Sequence, residues 1–243
     1  MFGDPRMLGA VTLAGLLIAV NWTIYVGAVV SHHVTEASLG YFLNPIVTVA
    51  IGVVVLRERL RRLQWLAVAI GLGAGVYLSV DFGRPPWIAV GLALSFALYG
   101  LMKKRIGTSL GAFQSLTSET AVLLPIAFAI LVWVEVSGQS TFAVDSPGHP
   151  LLLASAGMVT AGPLLLFAAA ARRVPLVTIG LLQFITPVLQ LLCGVLILGE
   201  TMKTSRWIGF GIVWVALLVL TIDSIRSIRS RRRLAGAAEC TAV

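Results

Sequence analysis

Residues 21–70 read NWTIYVGAVVSHHVTEASLGYFLNPIVTVAIGVVVLRERLRRLQWLAVAI. Long apolar runs alternate here with two short polar breaks, SHHVTE and RERLRR. Crossing the hydrocarbon as a helix takes about 20 apolar residues. Hydrocarbon offers no partner to backbone N–H and C=O groups, so each run must close its own hydrogen bonds as a helix. A lipid-facing barrel would need alternation of apolar and polar residues, and these runs have none.

The same pattern continues in both directions. Eight candidate spans are Met7–Val30, Ala37–Leu56, Leu63–Val80, Pro86–Met102, Ala112–Glu135, Leu151–Ala171, Pro175–Leu198 and Trp207–Ile222. Composition agrees: 58% of the 243 residues are hydrophobic and 12% charged, against about a quarter charged in a soluble domain. The fold class expected is an all-α integral membrane bundle. A net charge of +8 would suggest nucleic acid only if it formed a patch. Instead the basic residues sit in short runs between apolar stretches, so no nucleic-acid partner is expected. The lipid bilayer is the expected surrounding. Cys193 and Cys240 offer no disulfide or metal framework, and no cofactor is implied. Phosphate loops, GxSxG elbows and dinucleotide fingerprints are missing from the sequence, which points away from an enzyme or an ATP-driven pump.

Orientation follows from the basic residues. Fifteen of the eighteen lysines and arginines fall in alternate connections and the tail, at Arg6, in Arg57–Arg62, in Lys103–Arg105, at Arg172 and Arg173, and from Arg226 to Arg233. Only Arg84, Lys203 and Arg206 lie on the other side. The positive-inside bias then puts both termini in the cytoplasm, with the tail after Asp223 as an anchor to anionic lipid.

Shifting the chain by 142 residues superposes Leu39, Phe42, Pro45, Gly52, Val53, Leu56, Glu58, Trp65 and Ile70 on Leu181, Phe184, Pro187, Gly194, Val195, Leu198, Glu200, Trp207 and Ile212. Glu58 closes a span on the cytoplasmic side and Glu200 one on the outer side. The repeat is therefore inverted, an arrangement in which transporters place their site at the repeat interface. The organisation read from it is three spans of a first repeat in 1–82, five of a second in 83–223, and a basic tail in 224–243. Spans four and five have no partner at that offset, so two N-terminal helices are expected to be missing from this chain.

Pro45 and Pro187 break the repeat-related helices and free the carbonyls of Tyr41 and Gln183. Pro125 and Pro163 also lie inside spans. Asn21, Trp22, Tyr25, Tyr41, Asn44 and Gln183, joined by Gln190, gather on the same spans. An amide in hydrocarbon needs a partner, so these residues line a wet path or bond between helices. Asn21, Trp22, Tyr25, Tyr41, Asn44 and Gln183 are the candidate substrate-binding residues. Tyr99, Gln114 and Glu119 are weaker candidates. Glu119 lies inside a span, where it either couples protons or pairs with Lys103 or Lys104. His32, His33 and Glu36, placed in the outer loop before the second span, are gating or proton-coupling candidates. The HExxH spacing of a metal helix is absent there, and an ordinary interfacial loop is the plainer reading.

The quoted stretch, and with it GLALSFALYGLMKKRIG, SETAVLLPIAF, TAGPLLLFAAAARRVPLVTIGLLQFITPVLQ and GFGIVWVALLVLTIDSI, resembles the RarD branch of EamA-type permeases in the drug/metabolite transporter superfamily. HHVTEASLGYFLNP is the specific part. The resemblance implies ten helices in two inverted five-helix repeats, both termini cytoplasmic, the first two helices missing here. It also implies a permease of the bacterial inner membrane, of the kind described by chloramphenicol resistance or sensitivity. It selects no substrate, since relatives carry amino acids, metabolites, nucleotide sugars or cationic drugs. The function expected is secondary transport of a small molecule by alternating access, with a homodimer left open. The alternative is a non-transporting scaffold or a truncated, inactive permease.

Overall fold

The computed structural model describes residues 5–31, 33–82, 86–138 and 148–186, with Leu189, Thr204 and most of 207–226. Every described element is helical: α1 Pro5–Val30, α2 Val34–Val54, α3 Arg62–Phe82, α4 Trp87–Ile106, α5 Ala112–Val136, α6 Gly148–Arg173 and the short α7 Leu176–Leu182. Beyond α7, an apolar helical stretch runs over Trp207–Asp223. Among the described residues, four helices are long and apolar enough to cross a membrane, Pro5–Val30, Trp87–Ile106, Ala112–Val136 and Pro150–Arg173.

Helix ends follow local chemistry. Gln114 Oε1 accepts the Gly111 N–H at 3.0 Å, and Gln64 Oε1 accepts the Arg61 N–H at 2.9 Å. Each glutamine stands three residues inside its helix and satisfies a donor that the helix leaves over. Gln114, a weaker site candidate by sequence, is thereby occupied as a cap. α2 starts earlier than expected. His33 is its N-cap residue, and Glu36 belongs to its first turn instead of a loop. The turn at Ser31 closes so tightly that the His33 N–H already bonds Ala28 O at 2.7 Å.

Contacts divide the chain into two units. Unit 1 holds residues 1–23 and 98–176, with α5, α6 and parts of α1 and α4. One close approach falls just past the end of α4. A Cβ on Gly107 would lie 2.3 Å from Arg172 Cγ and 2.9 Å from Lys103 O. Glycine there lets the Arg172 guanidinium donate to Gly107 O at 2.8 Å.

Unit 2 holds residues 24–97 and 177–243. Its core joins Phe42 and Val49 of α2, Ala67 and Ala74 of α3, Val177 and Leu181 of α7, and Phe184, Ala216 and Leu220. Three glycines set the spacing. A Cβ on Gly71 would stand 2.4 Å from the Phe184 ring, one on Gly52 2.9 Å from Val177, and one on Gly180 3.0 Å from Pro45 O. Close approach through small residues is how membrane helices gain packing without a hydrophobic driving force between them.

Candidate functional site

In unit 1, Tyr99 and Lys103 stand four apart on α4, and Ser115 and Glu119 four apart on α5, so each pair shares one helical face. Lys103 Nζ reaches Glu119 Oε1 at 2.6 Å and Ser115 Oγ at 3.0 Å. The Ser115 hydroxyl donates to Glu119 Oε1 at 2.9 Å, and the Tyr99 hydroxyl stands 3.5 Å from Oε2. Tyr99 stacks on Phe167 of α6 at 5.8 Å, and the Lys103 ammonium lies 5.3 Å from the Tyr99 ring centre. Both ion-pair side chains are buried, 0% and 2% exposed.

The choice between the two lysines has a geometric cause. One residue further along a helix is about 100° further round it. Lys104 therefore points elsewhere and donates to Val174 O. Lys103, counted by sequence among the cytoplasmic basic residues, is turned into the protein. A carboxylate and an ammonium this deep are tolerated because each compensates the other and hydroxyls complete their hydrogen bonds.

In unit 2, Tyr41, Asn44 and Thr48 are spaced three and four residues apart and so form one stripe along α2. The Tyr25 and Tyr41 rings meet edge to face at 6.3 Å. Thr48, 1% exposed, places its hydroxyl 3.1 Å from Gln183 Oε1 and 3.5 Å from Asn44 Oδ1. Buried Pro45 lies within this stripe, and α2 runs through it as one helix from Val34 to Val54 instead of breaking there as the sequence suggested. Just past the end of α2, Arg57 takes a left-handed φ of 54°, an uncommon conformation for a side-chain-bearing residue. Beside it, the Glu58 carboxylate accepts the Val177 N–H at 2.7 Å. Glu58, read from sequence as a marker of the repeat, thus caps the start of α7.

Of the candidates, Tyr25, Tyr41, Asn44, Pro45 and Gln183 all belong to unit 2. Asn21 and Trp22 belong to unit 1, Asn21 half-buried and Trp22 exposed. His33 is half-buried at the start of α2. His32, Pro187 and Gln190 lie outside the described residues. Thr48 and Ser115 were not singled out by sequence, because an aliphatic-sized hydroxyl in an apolar run leaves no pattern. An open groove on α5, lined by Pro125, Ile126, Ala129, Ile130 and Trp133, draws every lining residue from one apolar helix and presents no charged side chain.

A model of EamA-like transporters matches residues 2–80 and 86–222. The chain belongs to the EamA-like transporter family. Its relatives put it in the RarD branch of that family. It is 52% identical over 236 residues to Protein RarD of Streptomyces exfoliatus, covering 97% of this chain and 74% of the relative. To Protein RarD of Escherichia coli K12 it is 41% identical over 222 residues, 91% of this chain and 74% of the relative. A solved crystal structure 17% identical to it shares the fold, with a TM-score of 0.57 over 90% of this chain and 89% of the other. The EamA chain is a multi-pass membrane protein, and its family is one of transporters.

Proposed function

We propose that this EamA-family chain is a secondary transporter of small molecules that works by alternating access, with solute held against the Pro45 face of α2. The observation that carries this reading is the buried Pro45 inside α2, flanked on one stripe by Tyr41, Asn44 and Thr48, with Gln183 hydrogen-bonded to Thr48. Proline removes one helical hydrogen bond, and non-helical backbone groups at membrane depth are tolerated where they line a cavity. The sequence repeat at an offset of 142 residues supports two inverted repeats, in 1–82 and 83–223, as rocking partners. We take the chain to run through eight spans of the ten-helix family fold, in the bacterial inner membrane with both termini cytoplasmic.

Tyr25 extends the solute face within unit 2 in this proposal, and Asn21 and Trp22 are kept as candidates from the sequence alone. Glu119, His32, His33 and Glu36 act as gating or coupling groups in this proposal. A homodimer is the assembly to test alongside. The transported molecule is left unassigned.

Labelling tests the mechanism without knowing the substrate. In a chain with Cys193 and Cys240 replaced by serine, Tyr41→Cys is exposed to a membrane-impermeant maleimide in intact cells and in inverted vesicles. Alternating access requires modification from both sides. Modification from one side only, or from neither, sinks the proposal.

A further inference from the structure

Within unit 1 the ends of α4 and α6 meet around one arginine. Arg172 lays its stem across Gly107, where a Cβ would stand 2.3 Å from Arg172 Cγ. Its Nε donates to Gly107 O at 2.8 Å, and Nη1 comes within 3.8 Å of the place a Gly111 Cβ would take. Any side chain at residue 107 would push the arginine off this turn, so the glycine seats it. The anchoring bond uses the Nε–H alone. Among the described residues, nothing accepts from the four Nη–H donors. An ordinary exposed arginine must give up rotamer freedom before it can hold an anion. This one is already pinned, with its two-pronged edge open.

The charge around it is one-sided. Arg105 and Arg173 are exposed, and neither guanidinium has a partner among the described residues. Lys104 donates to Val174 O, a neutral acceptor that leaves its charge uncancelled. Lys103, by contrast, is balanced by Glu119. The other described carboxylate of unit 1, Glu135, stands near the far end of α5, about 36 Å along the helix from Gly111. Four positive charges therefore share one end of two helices with no described carboxylate to offset them.

Depth narrows what can settle there. α4 and α6 are both long and apolar enough to cross a membrane, and these basic residues fill their last turns. The group consequently lies at the level where a bilayer presents its phosphates. A phosphodiester matches the planar guanidinium edge with two parallel hydrogen bonds, which a lysine cannot reproduce. A zwitterionic headgroup would bring its own ammonium into the basic group, whereas an anionic one brings only the phosphate. Phe113, 71% exposed in the first turn of α5, gives the lipid's acyl portion an apolar surface two residues beyond Gly111.

We propose that Arg172, seated on Gly107 with Lys104, Arg105 and Arg173 adding to the field, holds the phosphodiester of an anionic phospholipid at the shared end of α4 and α6. The site does not depend on alternating access.

Lipid retention tests it. The full chain in detergent micelles is titrated with phosphatidylglycerol or with phosphatidylcholine, and native mass spectrometry reads the lipid that stays bound. Phosphatidylglycerol should be held about tenfold more tightly, the worth of one charge-assisted hydrogen bond. Arg172→Gln should abolish that preference, and Arg172→Lys, which keeps the charge and loses the fork, should abolish most of it. Arg59→Gln removes the same charge from an exposed arginine of unit 2 and should leave the preference in place. Equal retention of the two lipids overturns the proposal. An equal loss in Arg59→Gln and Arg172→Gln overturns it too, since net charge alone would then explain binding. So does an unchanged preference in Arg172→Lys. Inorganic phosphate that displaces the lipid at equal concentration would make this a free-anion site and overturn the lipid assignment. Should Arg172→Gln fail to fold, the wild-type preference and Arg172→Lys still decide.

Discussion

Breaking the Lys103–Glu119 pair one partner at a time should cost far more than removing it whole. The two side chains are 0% and 2% exposed and lie 2.6 Å apart. In Glu119→Leu the Lys103 ammonium keeps only Ser115 Oγ, at 3.0 Å, and the Tyr99 ring for company. An uncompensated buried charge of this kind costs about 3–5 kcal/mol. Lys103→Met strands the Glu119 carboxylate with the Ser115 and Tyr99 hydroxyls, at a similar cost. The double variant Lys103→Met/Glu119→Leu carries no charge to strand, and such replacements run from neutral to about 1–4 kcal/mol stabilising. The coupling between the sites should therefore be at least about 6 kcal/mol in size, far beyond the few tenths expected of independent sites. Reversible unfolding of the four proteins in mixed micelles measures the cycle. Single variants within about 0.5 kcal/mol of the parent, or a double variant as unstable as their sum, would refute a compensated buried pair.

Other substitutions test the packing and the caps. Gly71→Ala puts a methyl 2.4 Å from the Phe184 ring, and overpacking of this kind costs about 1–3 kcal/mol, read by the same unfolding assay. Glu58→Ala removes the acceptor of the Val177 N–H and should cost about 1–3 kcal/mol, whereas Glu58→Gln, which keeps an acceptor oxygen, should lose less. Asp223→Asn breaks the Arg61 pair, but Arg61 is half exposed, so the loss should stay under about 1 kcal/mol and shrink further in high salt.

The helices were legible because hydrocarbon leaves the backbone one solution. α1, α3 and α5 begin and end within two residues of the apolar runs that announce them. Pairing of Glu119 with Lys103 or Lys104 was legible too, from the nearness of a carboxylate and two lysines along the chain. The choice between the lysines needed the helical phase that puts Tyr99 and Lys103 on one face. Gln114 misled because an amide near a span reads the same whether it lines a path or caps a helix. Thr48 was invisible for the opposite reason, being close to valine in size and in the pattern it leaves. Glu58 lay in view, but its partner is 119 residues away, and no local pattern predicts a cap contributed from that distance.

The order of synthesis gives the buried lysine a history. Residue 103 leaves the ribosome before residue 119, 16 residues later, so Lys103 is first presented as part of the run Lys103, Lys104, Arg105 at the end of α4. In that interval Glu119 has not yet been made, and in the orientation proposed above the lysine adds to the positive charge that favours the cytoplasmic side for this helix end. Arrival of α5 converts the same ammonium from an address label into an internal tie. Reporter fusions placed after α4 should thus record an unchanged orientation in Glu119→Leu, even where the finished protein is unstable.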